Sequence, residues 1–371
     1  MKRWLGRSGS GPLCLAIEDM DDAGPERVCP RTIAEAPGVT KCLLLLARHV
    51  HRCRALSLTG SMDKLEYLDG LDMPLLEELC LAINARSPSV DEAMDLFRAA
   101  PRLRALTCWR LRKGLDFWFE FPYENLTSLT LWEICPLREC AQVLRCCERL
   151  LHCSLHFFGY PLWYEDIGGP VCVPQLKTLH LDLSSDCGAD NLLSVLVLPA
   201  LEELKVEAGP GWNSEPLIEI FRRSDCALEV LDISGMGCKF FLDENEFVDL
   251  LAEVPTLKRL YMAGTNCCSF NPCADDELVP ALEELHITSN LAGKPRLAVP
   301  HRMLSSRLQP HTDGQGPSFE PCLRNASITI NRERQIHRWS VKDAGPVQVQ
   351  KRRRKSDDEP YIECAGDQVE L

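Results

Sequence analysis

Apolar residues recur along most of the chain at the first, fourth and sixth positions of a short segment. The clearest copy consists of Leu228, Leu231 and Ile233. Nine other copies begin at Cys53, Leu76, Leu103, Leu126, Leu150, Leu176, Leu201, Leu257 and Leu282. Successive copies start 23 to 29 residues apart, so the pattern indicates a structural repeat.

This spacing predicts one β-strand in each repeat. The last two apolar positions are two residues apart, as side chains on one face of a strand are, so both point into a core. A single repeat cannot bury such a face alone, and neighbouring repeats must stack. A period of about 20 to 29 residues with this apolar core is the leucine-rich-repeat signature. We therefore predict an α/β fold, a leucine-rich-repeat solenoid of ten irregular repeats.

The segments between the predicted strands carry helical patterns, at residues 89–100, 138–149, 214–223 and 245–253. A proline precedes the first apolar position of five repeats by two residues: Pro101, Pro174, Pro199, Pro255 and Pro280. Proline ends a helix and favours extended chain after it. Repeats that each place a strand inside and a helix outside predict a horseshoe with a concave parallel sheet and outer helices.

Three regions follow from the pattern. Residues 1–40 are predicted to form an N-terminal strand and loop, because Leu13, Leu15 and Ile17 alternate before an acidic, Pro- and Gly-rich stretch. Residues 41–290 hold the repeats. Residues 291–371 lose the pattern and are predicted to be a largely disordered tail, with one strand-like stretch at 326–330.

The formal net charge of -13 is unevenly distributed. Residues 291–371 hold 14 Lys+Arg and 10 Asp+Glu, so residues 1–290 hold 27 against 44, a net charge of -17. Nucleic acid is therefore not expected as the main ligand, because phosphate binding needs a basic face. The basic run from Lys351 to Lys355 fits either a nuclear localisation signal or a solvated charge block.

Twenty cysteines are present, and most lie inside repeats beside apolar residues, as reduced cysteines do when they pack in a core. No signal-peptide-like stretch begins the chain and no apolar run is long enough to span a membrane, so we expect a cytoplasmic or nuclear protein. Cysteines and histidines crowd together between Cys135 and His156, but no CxxC pair occurs. We predict no metal site, no cofactor and no enzymatic activity, since nucleotide-binding and nucleophile motifs are also missing.

The residues between the buried apolar positions should point into the horseshoe cavity. The candidate partner-binding residues are Trp109, Trp132, His152, His156, His180, Asp182, Glu203, Lys205, Glu207, Asp232, Arg259 and Tyr261. Because adjacent strands lie about 4.8 Å apart, Trp109, Trp132, His156 and Asp182 should form one ladder.

Two interpretations of this ladder remain open. Exposed aromatic residues flanked by charges are typical anchors of protein interfaces, and the acidic residues that follow suit a basic peptide. Alternatively, a neighbouring loop such as residues 157–164 covers the tryptophans, which then only pack. The first interpretation predicts a protein substrate or peptide as the partner.

Two stretches resemble a known family. Residues 4–15, with the sequence WLGRSGSGPLCL, resemble the WLxRSGxxPLxLxL segment of fungal, mostly mushroom-type, F-box proteins. Residues 46–58 resemble the LLxxxHRWRxLxL element of that family, with Cys53 at the position of the usual Trp. The resemblance implies a substrate-recognition subunit of an SCF-type ubiquitin ligase, attached through a Skp-type adaptor.

The F-box of that family lies upstream of the segment that begins here at Trp4, and only three residues precede Trp4. We therefore expect a family member without its F-box, in which adaptor contacts map to no residue. Two hypotheses follow: a substrate receptor of a ubiquitin ligase, or a leucine-rich-repeat binding scaffold with no ligase role. An in-frame F-box helix in the genomic sequence upstream of Met1 would favour the first.

Overall fold

The computed structural model describes residues 5, 7–18, 37–61, 68, 70–84, 100–109, 121–134, 137–157, 167–183, 189–208, 214–233, 244–263, 279–290, 325–332, 335–341, 348–353 and 362–363. The chain divides into two compact units, Met1–Leu176 and Lys177–Leu371. Of the predicted helix at residues 89–100, the structure describes only Ala100.

The first unit is built on parallel strands that pair in chain order. They are β1 (Leu13–Glu18), β2 (Cys53–Ser61), β3 (Glu78–Asn84), β4 (Ala105–Trp109), β5 (Ser128–Ile134) and β6 (His152–Phe157). The pairing follows the repeat, because Leu79, Leu106, Leu129 and Cys153 occupy equivalent positions in successive strands. A short strand, β7 (Val171–Cys172), follows.

Helices connect some of these strands. They are α1 (Pro37–Ala47) and α2 (Leu137–Cys146), with single 3-10 turns at Val50–Arg52 and Tyr123–Asn125. Helix α2 confirms the predicted helix at 138–149 and buries one apolar side, including Leu137, Val143 and Leu144. Its one-sided pattern is what a helix packed against a sheet requires.

The second unit repeats the arrangement. Its parallel strands are β8 (Thr178–Leu183), β10 (Glu203–Ala208), β11 (Val230–Ile233), β12 (Arg259–Ala263) and β13 (Glu284–Asn290). Between them lie α3 (Asp190–Leu193), the two-residue strand β9 (Leu196–Val197), α4 (Glu215–Ser224) and α5 (Glu244–Ala252). The last two helices confirm those predicted at 214–223 and 245–253.

The second unit ends in strands that the repeat pattern does not predict. Strand β14 (Asn325–Arg332) pairs in parallel with β13, and β15 (Gln335–Val341), β16 (Gln348–Arg353) and β17 (Ile362–Glu363) follow in antiparallel order. From the sequence we expected one strand in this region, at 326–330, within a largely disordered tail. The structure differs because antiparallel strands can be joined by tight turns and need no leucine repeat.

The buried positions of the repeat form the core of each unit. Leu228, Leu231 and Ile233 are at most 3% exposed, and Leu126 and Leu129 are fully buried. Burying one such side chain contributes about 1.5–3 kcal/mol. The α/β class and the parallel repeat strands predicted from the sequence are confirmed.

Backbone hydrogen bonds join successive repeats at the start of each strand. The carbonyl of Glu77, at the second position of its repeat, accepts the N–H groups of Arg104 and Ala105 at 2.9 and 3.0 Å. Each of the following carbonyls likewise accepts two consecutive N–H groups of the next repeat: Arg104, Thr127, Lys177, Glu202, Glu229 and Lys258. We call this position the corner. Its side chains are exposed or partly exposed, and pairs such as Lys177–Glu202 (2.7 Å) contribute little to stability.

A buried arginine ties the N-terminal turn to the first unit. Arg52 is 9% exposed, and its guanidinium donates to the Gly11 carbonyl at 2.7 and 3.1 Å and to Ser8 Oγ at 3.0 Å. The Ser8 hydroxyl in turn donates to the Leu5 carbonyl at 2.7 Å. The polar groups of a buried cation are thus satisfied by the chain that enters β1.

No helix in the described part of the chain is long and apolar enough to cross a membrane.

Candidate functional site

The side chains between the buried positions lie on the opposite side of the sheet, which we call the open face. In β4, Leu106 and Cys108 are buried while Ala105, Thr107 and Trp109 are partly exposed. The same alternation occurs in β8 and puts the predicted site residues of both units on open faces.

Three rings stack across neighbouring strands of the first unit. Trp109, Trp132 and His156 occupy paired positions of β4, β5 and β6, and we call them the aromatic row. The two indole centroids lie 4.1 Å apart with 4° between the planes, and the Trp132 and His156 centroids lie 3.4 Å apart with 6°. Aromatic pairs contribute about 0.5–1.5 kcal/mol beyond their buried area.

The members of the row differ in exposure. Trp109 and Trp132 are half-buried, whereas His156 is 7% exposed and therefore supports the stack more than it offers a contact surface. Of the loop considered as a cover for the tryptophans, 157–164, the structure describes only Phe157, which is buried in the core. His152 is exposed at the start of the same strand as His156 and is not part of the row.

A shallow hollow of about 350 Å³ lies on the open face of the first unit. Its floor is made of small residues: Cys14, Ala16, Ala55, Ser57, Cys80, Ala105 and Thr107. The exposed carboxylate of Glu78 lines it as well. Short side chains let the main chain of a ligand come close to the sheet.

The open face of the second unit carries charges in place of stacked indoles. Glu207 Oε1 lies 2.6 Å from Lys205 Nζ and 3.3 Å from His180 Nε2. The hydrogen bond from Lys205 lowers the pKa of Glu207, against a smaller opposing effect of burial. Asp182 is paired in register with Glu207 and adds a second carboxylate to this group.

A second polar group surrounds Glu284, one of the acidic residues that follow the ladder in the sequence. Tyr261 and His286 stack with centroids 4.9 Å apart and 6° between planes, and Tyr261 donates to Glu284 at 3.4 Å. Asn325 also donates to Glu284, at 3.5 Å. Burial, and then the charge of Glu284, raise the pKa of Tyr261.

His286 Nδ1 lies 2.7 Å from Ser327 Oγ. The contributions of Asn325 and Ser327 were missed because the repeat pattern ends before β14. The strand-like stretch at 326–330 was the signal that could have revealed them.

The other predicted residues of the second unit lie beside these groups. Asp232 is paired in register with Lys205 on one side and Tyr261 on the other. Glu203 and Arg259 are exposed, and both are paired with Val230, an open-face residue that is only 6% exposed. The structure therefore separates the candidate residues into an aromatic group in one unit and a charged group in the other.

The cysteines of the described region are free thiols. Burial raises the pKa of Cys140 and Cys147 to about 12 and that of Cys53 to about 11. Within the described ranges, no group of three or more His, Cys, Asp or Glu side chains is arranged to hold a metal ion. The thiol form suits cysteines that pack as small apolar residues.

No protein-family model and no curated protein matches this chain.

Proposed function

We propose that the chain is a leucine-rich-repeat solenoid with a horseshoe form, and that it binds a protein partner on its open faces. The observation that carries this proposal is the aromatic row, in which two half-buried indoles are held in fixed positions by strand pairing. Rigid aromatic side chains lose little conformational entropy on binding and are frequent binding hot spots.

The second unit supports the same function with a different chemistry. Glu203, Asp232 and Glu284 lie on its open face, beside the group of His180, Lys205 and Glu207. Carboxylates arranged in this way favour basic segments and raise the rate of encounter with them. We therefore expect the partner to be a protein or peptide with exposed basic residues.

The biological setting of this proposal is the F-box resemblance. The two stretches that carry the resemblance contact each other, since Arg52 of residues 46–58 donates to Ser8 and Gly11 of residues 4–15. We propose a substrate-recognition subunit related to F-box proteins of SCF-type ubiquitin ligases, working in the cytoplasm or nucleus. The alternative is a leucine-rich-repeat scaffold without a ligase role.

Partner capture by the full chain tests the binding function. Proteins recovered by affinity purification of the wild type should be lost from the double variant Trp109→Ala, Trp132→Ala. The matched control is Leu44→Ala, because Leu44 is a 50% exposed apolar residue on α1 and not on a strand that forms the open face. Retention of every partner by a folded double variant would refute the role of the aromatic row.

The ligase setting is tested separately. Any in-frame F-box helix found upstream of Met1 should be expressed with the chain, and co-purification with a Skp-type adaptor should then be measured. Adaptor binding that requires the added helix supports the receptor, whereas partner capture without adaptor binding supports the scaffold.

A further inference from the structure

The aromatic row ends at Trp109. Trp132 has a ring on each side, but Trp109 stacks only on Trp132 among the residues that the structure describes. The next two positions of the row are Ala82 on β3 and Thr59 on β2. Since neighbouring strands lie about 4.8 Å apart and alanine has only a methyl group, the residues that the structure describes leave a slot about one ring thick over Ala82, beside the indole face.

The hollow of the first unit lies on the same strands as this slot, next to it. Cys80 and Thr107, which line the hollow, lie two residues before Ala82 and Trp109 on the same strands. An extended segment can therefore lie on the small-residue floor and extend one side chain over Ala82. The carboxylate of Glu78, on the same strand as Ala82, borders the path of that segment.

We propose that this slot binds the arginine side chain of an extended partner segment. A guanidinium group is planar and fits a gap of one ring thickness, and the face of tryptophan attracts cations more strongly than that of other aromatic residues. Thr59, paired with Ala82, provides a hydroxyl acceptor on the far side of the slot. Glu78 lies four residues before Ala82, about 13 Å along β3, so its negative charge acts on the path of the segment and not on the slot itself. An aromatic side chain would fill the same space without using the Thr59 hydroxyl.

This inference rests on the proposed function and specifies the chemistry of the partner. Its test uses the full chain labelled with 15N at its seven tryptophans, whose indole N–H signals are followed by NMR. Substitution Trp109→Phe identifies the Trp109 signal. The probe is an acetylated and amidated heptapeptide with one arginine between two runs of three alanines.

We expect the arginine peptide to shift the Trp109 signal more than any other, in a saturable titration. The same peptide with citrulline has nearly the same shape without the charge, and it should bind about fivefold more weakly. A phenylalanine peptide should bind more weakly than the arginine peptide.

The slot itself is tested by filling it. Ala82→Phe should abolish the shift, and the smaller Ala82→Leu is the second variant if the first fails to fold. The matched control is Ala263→Phe, the same change on the open face of the second unit, which should leave the titration unchanged. Unchanged signals of the other tryptophans report that the fold is retained.

Equal affinity for the arginine and citrulline peptides, or tighter binding of the phenylalanine peptide, would overturn the assignment of arginine. Binding that survives in a folded Ala82 variant would overturn the slot. Either result is compatible with partners that still depend on Trp109 and Trp132, so the proposed function would stand. If the tryptophan variants retained both their partners and the peptide, the proposed function and the arginine slot would both be refuted.

Discussion

The two units share one buried repeat and carry different open faces. Residues 1–176 hold 20 Lys+Arg and 23 Asp+Glu, a net charge of -3, whereas residues 177–290 hold 7 against 21, a net charge of -14. The first open face is dominated by the aromatic row, and the second by Glu203, Glu207, Asp232 and Glu284 with few cations. The same strand geometry therefore presents two kinds of binding chemistry.

This difference indicates which positions are constrained. Leu129 and Leu204 are both fully buried at equivalent positions of their repeats, because each repeat must pack against its neighbours. The open-face residues next to them, Thr130 and Lys205, have no such requirement. Substitutions at the two kinds of position should consequently have separable effects on stability and on binding.

The largest effect is expected in the shared core. Leu131→Ala in the first unit and Leu231→Ala in the second should each lower the free energy of unfolding by about 2–5 kcal/mol, since each removes a buried side chain and leaves a cavity. Denaturant unfolding measures this. The neighbouring open-face changes Thr130→Ala and Asp232→Ala are the controls, and destabilisation of equal size there would break the distinction between the two positions.

Arg52→Ala should have the next largest effect, about 2–3 kcal/mol, because charge-assisted hydrogen bonds to two residues of the N-terminal turn are lost. Hydrogen exchange should locate the change in residues 7–18. Arg52→Lys retains the charge without the forked geometry and should recover only part of the loss. Protection of β1 that is unaffected by Arg52→Ala would contradict the anchoring role.

The aromatic row predicts a smaller difference between its members. Among the residues that the structure describes, Trp132 stacks on two rings and Trp109 on one, so Trp132→Ala should destabilise the first unit by about 0.5–1.5 kcal/mol more than Trp109→Ala. Thermal unfolding with calorimetry compares them. Tyr261→Ala, which removes the Tyr261–His286 stack of the second unit, serves as the reference, and an equal cost for both tryptophans would argue against stacking as the cause.

The smallest effect concerns Glu207. Because Lys205 lowers its pKa in the folded state, the pair stabilises the protein above the usual carboxyl pKa, and this contribution is lost as the pH falls through the lowered value. Solvent screening limits it to under about 1 kcal/mol. A double-mutant cycle of Lys205→Met and Glu207→Gln should give a coupling energy that shrinks on acidification. A coupling independent of pH would exclude the charge pair as its source.

The sequence was sufficient for the features that follow from strand periodicity. The aromatic row could be predicted, because Trp109, Trp132 and His156 occupy equivalent repeat positions and such positions pair in register. Features that depend on distant chain segments could not be inferred. Arg52 would be expected at the surface as a charged residue, and the hydrogen bond from Asn325 to Glu284 joins residues 41 positions apart.

The corner hydrogen bonds bear on how such a chain can diverge. The Glu77 carbonyl receives both N–H groups of the next repeat, and the carbonyl of Thr127 does the same, so the contact is independent of side-chain identity. Positive, negative and hydroxyl side chains all occur at this position within the chain. Mutations along the corner and the adjoining open face can thus accumulate with little cost to the scaffold, which lets recognition change faster than architecture over evolutionary time.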